Sequence, residues 1–341
     1  MGFLRNAWYV AAWSQELSDN PLSQKIIGEF VVLYRKSDGE AVALADMCPH
    51  RFAPLHKGKV IEDQIQCPYH GLRFDPRGKC QHNPFDPKVK PSSAQVRTYP
   101  VVERDKIIWI WMGDIDQVNK DLIPDYSWIN DEKYTFTSFA SMTQSLDYRL
   151  IIDNLMDLSH AQFLHPTTLG NEAMAMGGTT DEQKEREVVS RRLNVDGEAP
   201  TLFTIGGAAH KGDRVDFWND MRWDAPSCYY LQVGITPTGR PRDEGHFIQS
   251  AHLLTPLDEG RTIYRYLLGR TFAHGIDEIT TGMAAVVAKA FIEEDEPMIT
   301  AVQERMAGRE FWDMRPVILK SDRAAVMVRR AMDALLAREK A

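Results

Sequence analysis

The sequence predicts an α+β protein in two domains, an all-β one over residues 1–118 and a larger one of sheet and helices over 119–341. Three observations carry this. A chain of 341 residues is longer than one hydrophobic core usually organises. Its first third is a succession of short apolar runs separated by Gly, Pro and Asp. Beyond Asp114, helical periodicity brackets a second β-rich stretch.

In order along the chain, Val31-Val32-Leu33-Tyr34 and Ala41-Val42-Ala43-Leu44-Ala45 flank Ser37-Asp38-Gly39, which predicts a hairpin. Leu72-Arg73-Phe74 runs into the turn residues Asp75-Pro76-Arg77-Gly78. Val101-Val102, Arg104-Asp105 and Ile107 to Trp111 make a third hairpin, and strands this short and close suggest a small sandwich or barrel. Asp114 to Pro124 is polar and irregular, a boundary. Arg149 to His165 places Leu150, Ile151, Leu155, Leu158 and Phe163 at helical spacing. Tyr229 to Tyr266 reads as β, punctuated by Pro237, Gly239 and Pro241. Asp277 to Arg305 predicts a long helix interrupted by Pro297, and Ser321-Asp322 caps a last helix through Ala324, Val328, Met332 and Leu335.

Composition bounds function by exclusion. With 43% hydrophobic and 26% charged residues the chain reads as an ordinary globular enzyme. A net charge of −8 argues against nucleic acid, whose phosphates want a basic face. No apolar run reaches the length of a membrane span, and Met1 to Trp13 lacks signal-peptide character, so a cytoplasmic protein is expected. In that compartment Cys48, Cys67, Cys80 and Cys228 suggest metal before disulfides, since two of them sit beside histidines.

Those two define the first constellation: Cys48-Pro49-His50, then Cys67-Pro68-Tyr69-His70. Each loop offers one thiolate and one imidazole, the donor set of a [2Fe–2S] cluster with Cys on one iron and His on the other. Imidazoles in place of thiolates make the cluster less negative and raise its potential, which suits it to accept and pass on electrons. A structural zinc site also takes two Cys and two His, but usually with Cys paired to Cys and His to His in separate turns. Cys80 is expected to pack, and His56 and His82 to lie near the surface or behind the ligands.

The second constellation runs from Asp153-Asn154 through Asp157 and His160 to His165. Two histidines and a carboxylate on one face hold a non-haem iron(II) and leave positions open for O₂. On a regular helix, residues five apart point roughly 140° away from each other. His160 and His165 can therefore share a metal only if the helix breaks, which is expected near Gln162 to Leu164. Asp157 precedes His160 by one turn and could ligate the metal or accept a ring N–H and orient the histidine. Asn154 and Asp157 are carried as catalytic-site candidates. The acidic run Glu293-Glu294-Asp295-Glu296 before Pro297 is a source of a further carboxylate.

Together, Arg5-Asn6-Ala7-Trp8-Tyr9-Val10-Ala11-Ala12, both Cys/His loops, Asp153 to His165 and the late helix resemble the Rieske non-haem iron oxygenases. Within these they resemble the vanillate O-demethylase branch, which also holds the dicamba and toluenesulfonate oxygenases. The resemblance implies a Rieske domain followed by an antiparallel, helix-grip (START-like) catalytic domain. It implies a cluster on Cys48, His50, Cys67 and His70, and a mononuclear iron on His160, His165 and Asp295. It implies a head-to-tail homotrimer in which Asp157 bridges to His70 of the next chain. Electrons would come from NAD(P)H through a separate flavin or ferredoxin-type reductase. The implied reaction is O₂-dependent O-demethylation of a vanillate-like aromatic acid with release of formaldehyde, or hydroxylation of another methyl group or ring C–H. His252 is similar to a residue that contacts the substrate's polar group, and Tyr230 and Gln232 are expected to line the pocket. Leu231 stands where the dicamba oxygenases carry an amide, a departure from their carboxylate recognition. Arg222, Arg265 and Arg270 are candidate carboxylate partners.

Overall fold

The computed structural model of the chain describes residues 2–88 and 91–340. Two compact units form, Phe3–Asp125 with Thr255–Glu259, and Tyr126–Leu254 with the residues from Gly260 onward. The division falls after Asp125, past the expected 118, because the intervening segment is tied to the first unit. Trp8 Nε1 donates to the Asn119 carbonyl at 2.7 Å, and Arg104 donates to the carbonyls of Ile123 and Pro124. The 255–259 tip joins that unit through the amides of Ile27 and Gly28, which donate to the carbonyls of Pro256 and Leu257 at 2.7 and 2.8 Å.

The first unit is all β. Its sheets are Trp8–Trp13, Ile107–Trp111 and Val101–Arg104; then Leu22–Ile26, Glu29–Arg35, Ala41–Ala45 and Thr98–Tyr99; then Lys59–Ile61, Gln64–Gln66, Arg73–Phe74 and Cys80–His82. The three expected hairpins are present. Arg35 pairs with Ala41 around a turn closed by Gly39 at φ +88°, a conformation glycine adopts without strain. Gly78 donates to the Asp75 carbonyl at 2.8 Å in the second. In the third, Asp105 and Lys106 both have positive φ, which matches the twist of the flanking strands. Ile107–Trp111 is buried along its whole length, which explains its unbroken apolar run.

The second unit is α+β. Its antiparallel sheet runs in the order Thr135–Phe136, Arg261–Arg270, His246–Asp258, Cys228–Pro237, Arg214–Asp224, Glu187–Glu198, Gly178–Gln183, with Ala140–Gln144 also pairing Arg261–Arg270. The strands before Tyr229 are not marked by the sequence reading. In Glu187–Glu198 the buried positions are Val188, Ser190 and Arg192, so two of three inward residues are polar and the alternation is hidden. Against the sheet lie Tyr148–Leu155, the late helix from Asp277 to Met306, and Arg323–Lys340, whose Ala324, Val328, Met332 and Leu335 are buried as predicted. Among the described residues no helix is long and apolar enough to cross a membrane.

Candidate metal centres and substrate cavity

The two Cys/His loops share one backbone design. The amide of Cys48 donates to Ala53 and that of Cys67 to Leu72, while Phe52 and Gly71 donate back to the carbonyls of Cys48 and Cys67. Phe52 and Gly71, each four residues past its cysteine, both take positive φ, 60° and 74°. These turns bury both thiols in a common apolar core and leave His50 exposed and His70 half-exposed, their ring centroids 4.5 Å apart. Thiol beside thiol and imidazole beside imidazole suits two irons with unlike ligands. Among the described residues, no three of these donors gather within 4.8 Å of one another, as a single tetrahedral zinc would require. Burial pushes the Cys48 thiol up to about 11, and the neighbouring Cys67 adds to this, so thiolates here call for a bound cation. Cys80 Sγ meets the His82 carbonyl, and His56 is held by Asp46, so neither joins the group.

The second group forms where the expected helix breaks. Tyr148–Leu155 ends ahead of Met156, Asp157 caps a 3-10 turn over Leu158–His160, and a single helical turn, Ala161–Leu164, stops before His165. The chain thus breaks twice, once upstream of the expected place and once at Leu164. Both imidazoles swing to one side, with centroids 5.1 Å apart. Opposite them the late helix widens into a π turn over Ala290–Asp295. Pro297 lacks the amide that would continue the regular ladder into this segment, so the local hydrogen bonding must change there.

His160, His165 and Asp295 bring ligand atoms within 4.8 Å of one another. Asp295 Oδ1 lies 3.6 Å from His160 Nε2 and 3.0 Å from His165 Nε2. The far nitrogens are both held: His160 Nδ1 by the Asp157 carbonyl, and His165 Nδ1 by Glu294 Oε2 at 2.7 Å. Glu294 is fixed in turn by the Thr168 hydroxyl at 2.7 Å. Asn154 Nδ2 donates to Asp295 Oδ1 at 3.0 Å and lies 3.5 Å from His160 Nε2. Asp157 does not offer its carboxylate to this cluster; that group accepts from the Ser159 amide at 2.9 Å. The sequence offers Glu294 only as one member of an acidic run, which does not show which members turn inward, and gives no signal for Thr168.

The donor set fits a divalent iron. His165 Nε2 is buried, faces a carboxylate oxygen and has no hydrogen-bond partner. Burial pulls His165 down, but the Asp295 and Glu294 carboxylates outweigh it and leave the ring above its ordinary value. In His160 burial wins over Asp295 and the ring is lowered. A cation between the Nε2 atoms and Asp295 would satisfy all three, with both rings neutral and aimed by their Nδ1 contacts.

A cavity of about 80 Å³ opens onto this group. Beyond Asn154, His160, His165 and Asp295 at the metal end, its wall is apolar, including Leu231, Val233, Ile248, Leu268 and Phe291, with Ser250 and His252 as polar exceptions. His252 is buried, bonded to the Ser250 hydroxyl at 2.8 Å and to the Tyr264 hydroxyl at 2.6 Å, and burial pushes it down to about 3. The expectation for Tyr230 and Gln232 is corrected: they alternate with Leu231 and Val233 and so face away from the cavity. There Gln232 accepts from Trp218 Nε1 at 3.1 Å, and Tyr230 bonds Gln249. Arg222, Arg265 and Arg270 do not line the cavity either.

Residues 7–100 match the Rieske [2Fe-2S] domain, and 145–338 the vanillate O-demethylase oxygenase C-terminal domain. The chain is 38% identical over 332 residues to the chloroacetanilide N-alkylformylase oxygenase component of Rhizorhabdus wittichii, covering 97% of this chain and 95% of that one. It is 37% identical to the dicamba O-demethylase oxygenase component of Stenotrophomonas maltophilia, covering 98% of each. The crystal structure of dicamba monooxygenase bound to 3,6-dichlorosalicylic acid superposes over the whole of both chains with a TM-score of 0.93 at 36% identity. Likeness of this extent in both units leaves one conclusion: the chain belongs to the vanillate O-demethylase branch of the Rieske non-haem iron oxygenases, as an oxygenase component with a [2Fe–2S] cluster and a mononuclear iron supplied with electrons by a reductase.

Proposed function

We propose that this oxygenase component acts in the cytoplasm to O-demethylate a methoxylated aromatic compound, releasing formaldehyde. The supporting observation is the apolar cavity that ends on His160, His165 and Asp295, where a methyl group can be held against the metal side of both Nε2 atoms. On this reading Cys48, His50, Cys67 and His70 hold the cluster, and His160, His165 and Asp295 the mononuclear iron.

The overall change balances as R–O–CH₃ + O₂ + 2 e⁻ + 2 H⁺ giving R–O–CH₂OH + H₂O, after which the hemiacetal collapses to R–OH and formaldehyde. The bound iron supplies activation of O₂, using electrons delivered through the cluster. The chain's own residues supply the rest. Leu231, Val233, Ile248 and Leu268 exclude water and pack against the ring, while Asn154 holds Asp295 in place. The Asp157 carbonyl and Glu294 keep the two Nε2 atoms pointed inward.

The assembly belongs to the same proposal: a head-to-tail trimer in which His70 of the partner subunit reaches Asp157. Asp157 and His160 border an open groove with Leu150, Leu164, Met298 and Val302. In the other unit His50 and His70 stand among the exposed Phe52, Tyr69 and Phe85. Two apolar surfaces, each carrying one end of an electron path, support pairing between copies.

Methoxybenzoates and their uncharged esters and amides, incubated with a surrogate reductase and assayed for formaldehyde, test the reaction. Formaldehyde in step with O₂ consumption is expected. Hydroxylated products that keep their methoxy group would sink demethylation and leave the oxygenase class standing.

A further inference from the structure

The wall of the cavity narrows the substrate within the reaction proposed above, on which this inference rests. Among the described residues that line it, none is Lys or Arg. Arg192, Arg222, Arg265 and Arg270 all lie outside this lining. Arg192 donates to the Met174 carbonyl at 2.9 Å, Arg222 pairs with Asp224 at 2.8 Å, and Arg270 donates to the Ala273 carbonyl at 2.8 Å.

The metal adds no surplus of positive charge. A divalent ion on the two imidazoles would carry two charges, and the Asp295 and Glu294 carboxylates beside it offset both. The remaining polar groups are neutral and largely committed. Asn154 is spent on Asp295, and His252 is bonded at both nitrogens. At neutral pH His252 is uncharged and offers no cation. What remains is the Ser250 hydroxyl, which lies 2.8 Å from His252 Nε2 and 3.4 Å from the Leu231 carbonyl and can exchange one of these contacts for a carbonyl or amide of the substrate. A carboxylate or sulfonate placed here would lose its water with no countercharge in return.

We infer that the substrate is an uncharged arene, its ring packed by Leu231, Val233, Ile248 and Leu268 and its one polar group read by Ser250 and His252, and not an aromatic acid or sulfonate. The relatives span both chemistries by name, from vanillate to chloroacetanilide, so the wall and not the family decides.

The test uses iron-loaded, cluster-containing protein and ligands matched except at the carboxyl group, which is charged in one member and neutral in the other. Methyl 2-, 3- and 4-methoxybenzoate and the three methoxybenzamides are titrated calorimetrically at pH 7.5 against the corresponding methoxybenzoate anions. The uncharged member of at least one pair is expected to bind at least tenfold more tightly than its anion. A panel in which no uncharged member binds more tightly than its anion, including one in which nothing binds, overturns the inference. A Ser250→Ala variant is expected to weaken the amides about fivefold and leave methoxybenzene unchanged. Formaldehyde is scored separately on the same ligands. A bound neutral ligand that is hydroxylated without formaldehyde overturns demethylation alone. Formaldehyde from the anions at a higher kcat/KM than from the amides, which carry a single methoxy group, overturns this inference alone.

Discussion

Of the four consecutive carboxylates near Pro297, each has a different task. Glu293 is exposed, Glu294 fixes His165 Nδ1, Asp295 faces both Nε2 atoms, and Glu296 accepts from Gln144 at 3.2 Å. A histidine that ligates a metal through Nε2 needs its Nδ1 proton held, and a carboxylate does this while raising the ring's basicity. Replacing Glu294 with Ala should therefore lower iron affinity about 10–100-fold, with Thr168→Val following in the same direction more weakly. Iron retained against a graded chelator measures this, with the visible absorption of the cluster as the unchanged internal reference. Equal retention in wild type and Glu294→Ala would reduce Glu294 to a surface acceptor. None of this division of labour is legible in the sequence. The histidines stand out by type and spacing, but the acidic run offers four equivalent candidates, and only resemblance favours Asp295. The sorting comes from a widened helical turn; Pro297 announces that the helix changes there, but not which carboxylates it turns inward.

Cys228–Pro237 shows why some strand residues defeat a reading from sequence. From sequence, Tyr230 and Gln232 are expected to line the pocket, and Leu231 is placed there only by resemblance. The pleat turns Leu231 and Val233 to the cavity and Tyr230 and Gln232 away from it, because a shift of one residue exchanges the two faces of a strand. The face away from the cavity is a packing surface. Gly234 lies directly opposite Trp218, and a Cβ at Gly234 would come within 2.0 Å of that fully buried indole. Gly234→Ala should thus cost about 1–3 kcal/mol through overpacking, seen as a lower thermal midpoint of the second unit. Iron occupancy of the folded fraction should hold, because the cavity face is untouched. Pairing it with Trp218→Leu should recover part of the loss, and a double variant no better than the single one would place the strain elsewhere. The hairpins of the first unit were readable for the opposite reason. Their turns depend on local chemistry at Gly39, Gly78 and Asp105-Lys106, with no long-range register to guess.

At the scale of the whole molecule, a cluster that only stores electrons and an iron that only spends them must be connected, and the trimer proposal puts the connection between chains. His70 is partly exposed in one unit, and Asp157 lines an open groove in the other. If the electron crosses a subunit boundary, the two centres need not reside in one chain. A Cys67→Ser chain should lack the cluster and keep the iron site, and an Asp295→Ala chain should do the reverse. Each alone should be inactive with any reductase. Co-expressed in equal amounts, they should on the trimer proposal form rings in which half the chains keep iron and half of those follow a cluster-bearing neighbour. Random assembly then predicts about a quarter of wild-type turnover per chain. Cyclic geometry makes the outcome decisive, because transfer within one chain predicts no recovery in any mixed ring. Size-exclusion with light scattering shows whether the mixed species is a trimer, and an Asp157→Asn substitution in the iron-bearing partner should then remove the recovered activity while both metal contents persist.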